Sequence, residues 1–285
     1  MDELRFLVET YLDAQKDRIR FDNRVRDLPK EYRETEFFKN LKETVYELER
    51  SITKRVEKLL MDEPLYTRYL RYQKGVGPML AAYLIAWLCR EREFTIRGVT
   101  GKIGENTYRM KWKKQERVIE LPPYAKILEE NLEKGYIRVW MPPVVEVAEN
   151  PSDLHKYCGL APGSKLTRGE RVSFNPKVKA LMWKILRQLL MAGGEWARIY
   201  AKDKYDYAQR CPEPEKGSKK LKVHLTAKNI VMRKFMTNLW LVYRWMHGLP
   251  TTEPYPVKLG LQHNILQPFI ETKEGVKYLS REDFT

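Results

Sequence analysis

Apolar residues recur with a helical period along the first sixty positions. Over residues 3–27, Leu4, Leu7, Tyr11, Ile19 and Val25 fall roughly on one face, and Pro29 then breaks the pattern. From Phe38 the apolar positions run Phe38, Leu41, Val45, Leu48, Ile52, Val56 and Leu59, at spacings of 3, 4, 3, 4, 4 and 3. That is close to a heptad seam, and Glu, Lys and Arg crowd the flanking positions. The pattern predicts a helical hairpin or coiled-coil arm over residues 1–63, pairing either within the chain or with a second copy.

Residues 64–93 carry two apolar helix-like runs around the break Gly75-Val76-Gly77-Pro78. Over 94–150 the period changes. Tyr108, Met110 and Trp112 alternate with charged neighbours, and "YIRVW" and "MPPVVEV" add further strand-like segments. A small β-containing insertion is expected there, with a short helix near 124–134. Its Trp and Tyr rings either stack on bases or build a minor core. Helices return over 151–249. Ser152 is the expected N-cap of the first. Pro176 opens a long second helix, interrupted near Gly193-Gly194, and "HLTAKNIVMRKFMTNLWLVYRWM" forms a third that ends at Gly248. Residues 250–285 read as an irregular tail. The fold class is therefore mainly α, an arm and a helical domain with one β-containing insertion.

Charge changes this picture. The chain carries +15 overall, yet residues 1–70 hold 15 Lys and Arg against 16 Asp and Glu, whereas residues 162–246 hold 19 against 6. Basic charge concentrated in one region is the footprint of a polyanionic partner. An even surface of mixed charge describes the first third only. No apolar run approaches the ~20 residues of a membrane span. The start, "MDELRFLVET", lacks a basic-then-apolar signal layout, so a cytoplasmic, nucleoid-associated place is expected. Three scattered cysteines exclude a disulfide framework. His155 and Cys158 form a lone H-x-x-C pair without the second pair a structural zinc needs, so neither metal nor cofactor is expected.

A turn of the form Gly-apolar-Gly between helices describes a helix-hairpin-helix. Glycine allows positive φ and close backbone approach, and the turn feeds the N-terminus of a helix, which favours an anion. Pro78 suits a first helical turn, and Ala81 and Ala82 allow close packing. The turn is thus either plain punctuation or a holder of backbone phosphate.

Taken together, "GVGPMLAAYLIAWL" and "LHKYCGLAPGSKLTRGERVSFNPKVKALMWKILRQLLM" resemble the C-terminal transposase domain of the DEDD transposases and Piv-type DNA invertases, the group that includes RNA-bridged recombinases. In that family a G-I-G-P-x-x-A-A hairpin precedes a "GLxP" turn, a Ser-Gly loop, an Arg/Lys/Leu-rich helix and a last basic helix. The likeness covers about residues 70–100 and 152–248. It implies a DNA-binding helical scaffold with a nucleophilic serine in the loop after "GLAP". The matching place here is nearest Thr167, with Ser164 and Ser173 close by. Residues 1–70 are too short and too helical to supply the family's RuvC-like nuclease domain, and the 94–150 insertion is longer than the family's link.

The expected function is DNA binding on the phosphate backbone without autonomous catalysis. Gly75 and Gly77 would hold a phosphate through amides. Lys165, Arg168 and Arg171 would add loop contacts, Lys177, Lys179, Lys184 and Arg187 would line one helix, and Lys228, Arg233 and Lys234 another. One alternative is a recombinase or transposase half using Ser164 or Thr167 with a separate nuclease partner. Another is an RNA-binding or structural protein whose N-terminal arm makes homo-oligomers.

Overall fold

The computed structural model describes residues 2–112, 115–164, 172, 174–213, 218–252 and 266–284. The chain divides into two compact units, one of residues 88–147 and one formed by the segments on either side.

The larger unit is helical. Its arm is α1 (Glu3–Arg26), the short α2 (Lys30–Arg33) and α3 (Glu36–Leu60). The pairing left open by sequence is made within the chain. Arg18 Nε donates to Glu49 Oε1 at 2.6 Å, Tyr46 Oη to Asp22 Oδ2 at 3.0 Å, and Arg55 Nε to Glu3 Oε1 at 2.7 Å, an antiparallel order. The seam is not uniformly used. Of its positions Ile52 and Val56 are buried, with Leu60 beside the half-buried Leu59, while Leu41 and Leu48 stay exposed. The proximal half of the arm is thus part of the core and the distal half is not.

After Pro64 the chain forms α4 (Pro64–Arg68), a 3-10 turn at Leu70–Tyr72 and α5 (Pro78–Leu84), which runs on into a π-helical turn at Ile85–Cys89. The limb before the Gly-Val-Gly turn is thus a helical turn and a 3-10 turn, not a regular helix.

The smaller unit contains β1 (Arg92–Arg97), β2 (Val99–Gly104), β3 (Thr107–Trp112), β4 (Gln115–Glu120), β5 (Lys126–Asn131), β6 (Tyr136–Met141) and α6 (Val144–Val147). The strands make two antiparallel three-stranded sheets, ordered β1-β6-β5 and β2-β3-β4. Val99, Tyr108, Leu121, Ala125, Ile137 and Val139 are its core. Two expectations are corrected here. The helix near 124–134 is the strand β5, because Ile127 pairs opposite Val139 and Glu129 bonds Tyr136 and Arg138 across the ladder. Tertiary pairing overrides a helix-favouring "KILEEN". Conversely "MPPVVEV" is not a strand. Pro142 and Pro143 cannot donate to a ladder, and the Pro143 carbonyl accepts from Glu146 and Val147 amides to start a helical turn. Tyr108 is fully buried with its hydroxyl on Glu130 at 2.7 Å, so it builds core and does not stack on bases.

Beyond this unit come α7 (Pro151–Tyr157), α8 (Pro176–Met191), α9 (Glu195–Arg210) and α10 (Lys219–Met246). Asn150, not Ser152, caps α7: its Oδ1 accepts from the Asp153 amide at 3.2 Å, which puts Pro151 at the first helical position. The second half of α10 is buried on nearly every side, from Phe235 through Arg244. Trp196 of α9 packs edge-on to Phe235 and tilted against Phe269 at 4.9 Å. Phe269 belongs to a hairpin, β7 (Phe269–Thr272) and β8 (Gly275–Tyr278), so the part of the tail that is described has regular structure and contributes to the core. Among the described residues no helix is long and apolar enough to cross a membrane.

Candidate nucleic-acid interface

The Gly-Val-Gly turn is built around a buried glutamine. Gln73 is 1% exposed; its Nε2 donates to the Phe269 carbonyl at 2.7 Å and its Oε1 accepts from Trp196 Nε1 at 2.8 Å. The Gln73 carbonyl takes the Val76 amide at 2.8 Å, closing the turn, and the Val76 side chain is buried.

The two glycines serve different ends. Gly75 has φ +98°, and a Cβ on it would stand 2.6 Å from the carbonyl oxygen of Gln188 in α8. It needs glycine for two reasons, its left-handed φ and the close approach of α8. Gly77 is exposed with φ −75° and ψ 169°, and a Cβ there would meet nothing within 4 Å. Neither backbone nor space demands glycine at 77, and its face is open to a ligand.

Next along the surface is α8. Asn175 caps it, accepting from the Lys177 and Val178 amides. Val178, Leu181, Met182, Ile185, Leu186 and Leu189 face inward, which turns Lys177, Lys184 and Arg187 outward. The helix contains no Asp or Glu, and among the described residues these three cations have no ion pair. Trp183, 36% exposed, stands beside them, with Lys228 Nζ of α10 6.0 Å from its ring centre.

Other basic candidates are engaged internally. Lys179 donates to the Ser164 carbonyl and lies 4.4 Å over the Phe174 ring, and partial burial lowers its pKa. That bond holds Ser164, four residues after Leu160 of "GLAP". Lys234 grips Asp203 at 2.6 and 2.9 Å. Arg233 is half-buried, its Nε on the Asn229 carbonyl, and desolvation lowers its pKa. Lys165, Thr167, Arg168, Arg171 and Ser173 lie outside the described residues.

The imidazoles of His155 and His224 are both held by hydrogen bonds. His155 Nε2 lies 3.1 Å from the Arg233 carbonyl and 3.2 Å from Thr237 Oγ1; since a carbonyl only accepts, this nitrogen carries the proton. Burial, reinforced by the Arg233 charge, lowers its pKa to about 4. His224 Nδ1 meets Tyr200 Oη at 2.5 Å, and desolvation followed by Lys228 and Lys204 lowers its pKa. Cys158 is fully buried, which raises its thiol far above the range where a thiolate forms. His155 and Cys158 therefore serve packing, and among the described residues no group of His, Cys, Asp or Glu is placed to hold a metal.

Reasoning from sequence missed Gln73, whose spacing gives no signal, and the pairing of Trp183 with the basic face, which helical spacing from Lys184 and Arg187 does contain. Comparison of the chain with protein-family models, with curated proteins and with solved structures gives no match.

Proposed function

We propose that this chain binds DNA on its phosphate backbone, with the outward face of α8 as the main contact and the open Gly77 turn as a second. One observation carries the reading: Lys177, Lys184 and Arg187 share an exposed face on a helix without acids. Several cations elsewhere have acidic partners, as Arg18 has Glu49, Arg55 has Glu3 and Lys234 has Asp203. Unpaired cations held on one rigid element are what a line of phosphates requires. The ordered likeness of "GVGP…" and "GLAP…" to the transposase domain points the same way. The proposed role is binding without autonomous chemistry, since His155 and His224 are bonded to α10 and to Tyr200 and not to Ser164. The distal arm, where Tyr32, Phe37, Leu41 and Leu48 are exposed, is proposed to join a second copy. Light scattering with and without Leu48→Glu reads this out, and a mass unchanged by the substitution sinks it.

The test is a binding titration against duplex, junction and single-stranded DNA, with RNA as competitor. Affinity for DNA is expected to fall by orders of magnitude between roughly 50 and roughly 300 mM salt, with little sequence preference. Equal affinity at both ends, or RNA displacing DNA stoichiometrically, overturns the reading.

A further inference from the structure

A cavity of about 270 Å³ lies in the helical unit between α1, α5 and α8. The π-helical turn matters to it, because it carries Trp87, one of the cavity's walls. Leu12 of α1 and Leu181 of α8 supply apolar surface around the ring. Tyr83 of α5 also lines it, and here the polar accounting is incomplete. The residue is only 6% exposed, and its hydroxyl has no hydrogen-bond partner. A buried hydroxyl without a partner is costly unless something supplies one.

The rim has a definite charge. Its acids have partners within α1, Asp13 with Lys16 at 2.7 Å and Glu9 with Arg5 at 3.6 Å, and the Lys177 charge also acts on Asp13. Lys177 and Lys184 line the same cavity and have no ion pair among the described residues. Lys177 Nζ instead lies 5.2 Å from the centre of the Trp87 ring. The opening therefore offers an aromatic wall that Arg5 and Lys177 already approach, a buried hydroxyl without a partner, and two lysines without an ion pair among the described residues. Its volume falls just under the roughly 300–1,000 Å³ typical of drug-sized ligands, so it suits one ring system, not an extended chain.

We infer that this cavity is a nucleotide site: a single base enters beside Trp87 with a polar edge on the Tyr83 hydroxyl, while its phosphate rests on Lys177 and Lys184. Aromatic surface accepts any base face, and a hydrogen-bonding edge answers the orphaned hydroxyl. Because both lysines also belong to the outward face of α8, an unpaired nucleotide in a bound strand reaches the cavity without leaving that face. This inference rests on the DNA-binding reading for its source of nucleotide; a free mononucleotide has the same chemistry and is the second source to test.

The unsubstituted protein, Tyr83→Phe and Leu12→Trp are each titrated with three probes: a labelled fully paired duplex, the same duplex with one unpaired 2-aminopurine, and free 2-aminopurine deoxynucleoside monophosphate. Tyr83→Phe removes only the hydroxyl and keeps the packing, while Leu12→Trp fills the cavity from α1. The paired duplex is expected to bind all three proteins alike. The unpaired base is expected to change fluorescence on binding the unsubstituted protein, with affinity lower by about tenfold in Tyr83→Phe and the signal lost in Leu12→Trp. If the paired duplex binds but the 2-aminopurine probes respond identically with all three proteins, the nucleotide site is overturned and the DNA reading stands. If the paired duplex does not bind yet the free nucleotide separates the variants, the DNA reading fails and the site stands, filled from solution. No response from any probe overturns both.

Discussion

The α-carbon of Gly75 faces the backbone carbonyl of Gln188 so closely that a methyl group added to it would stand 2.6 Å from that oxygen. The first glycine of the turn is therefore an interlock between the turn and α8. Gly75→Ala combines a positive-φ penalty with a clash against backbone that cannot swing aside, and is expected to cost about 2–4 kcal/mol in urea unfolding. Gly77→Asp should behave oppositely. It keeps an N-cap in a permitted conformation, so stability should hold or rise by up to about 1 kcal/mol. Its charge should nevertheless weaken duplex binding, measured by anisotropy at fixed salt.

Gln73 joins the turn to α9 and to the C-terminal hairpin through one side-chain amide. Gln73→Leu fills the same space but leaves the Trp196 indole N–H and the Phe269 carbonyl without their partner. The expected loss is about 2–4 kcal/mol, because two buried groups go unsatisfied together. An unfolding midpoint close to that of the unsubstituted protein would show that water or neighbours replace the amide.

His155 should make stability depend on pH. Its pKa in the fold is about 4, below the ordinary 6.5. Between those values the unfolded chain binds a proton that the folded chain refuses, so its contribution is intact above pH 6.5 and is lost as pH falls. The slope from this one group is about 1.4 kcal/mol per pH unit until the folded form protonates as well. His155→Gln can still donate to the Arg233 carbonyl but cannot take up the proton. Urea midpoints of the two proteins should diverge in slope between about pH 6.5 and about pH 4; parallel curves would refute the assignment.

Basic residues of α8 and α10 should separate by assay. Lys184→Glu combined with Arg187→Glu changes exposed positions, so stability should stay within about 0.5 kcal/mol while the salt slope of duplex binding falls by about two. Lys234→Met should do the reverse. It strands the largely buried Asp203 carboxylate, costing about 1–3 kcal/mol after allowance for partial solvent access, and leaves duplex affinity unchanged.

These contrasts also mark how far the sequence could be read. Helical period located the arm and α8, because α1, α3 and α8 each bury one coherent set of apolar positions. It misread β5, whose strand state comes from pairing with β6, a partner that spacing within β5 does not encode. It took "MPPVVEV" for a strand because β-branched residues outweighed the two prolines. Charge density pointed to α8, but not to which lysines were already engaged: Lys179 with the Ser164 carbonyl and Lys234 with Asp203 look the same in sequence as Lys184. The glycine pair showed the same limit. Gly75 and Gly77 are equivalent as letters, and it takes the backbone angles and the position of Gln188 to tell the glycine that is required from the open one.

The bond from Gln73 to Phe269 spans 196 positions. Loop closure over that length comes late, since the entropy of bringing distant segments together must be met before their contact rewards it. During synthesis the Gly-Val-Gly turn leaves the ribosome long before the hairpin that completes it. Until then the Gln73 amide, the Trp196 indole and the seat of Phe269 stay open to water, and the helical unit is a nascent chain awaiting its last strand pair. A truncation just before Phe269 would therefore remove the closing piece of the turn at the other end of the chain, although the turn's own sequence would be intact.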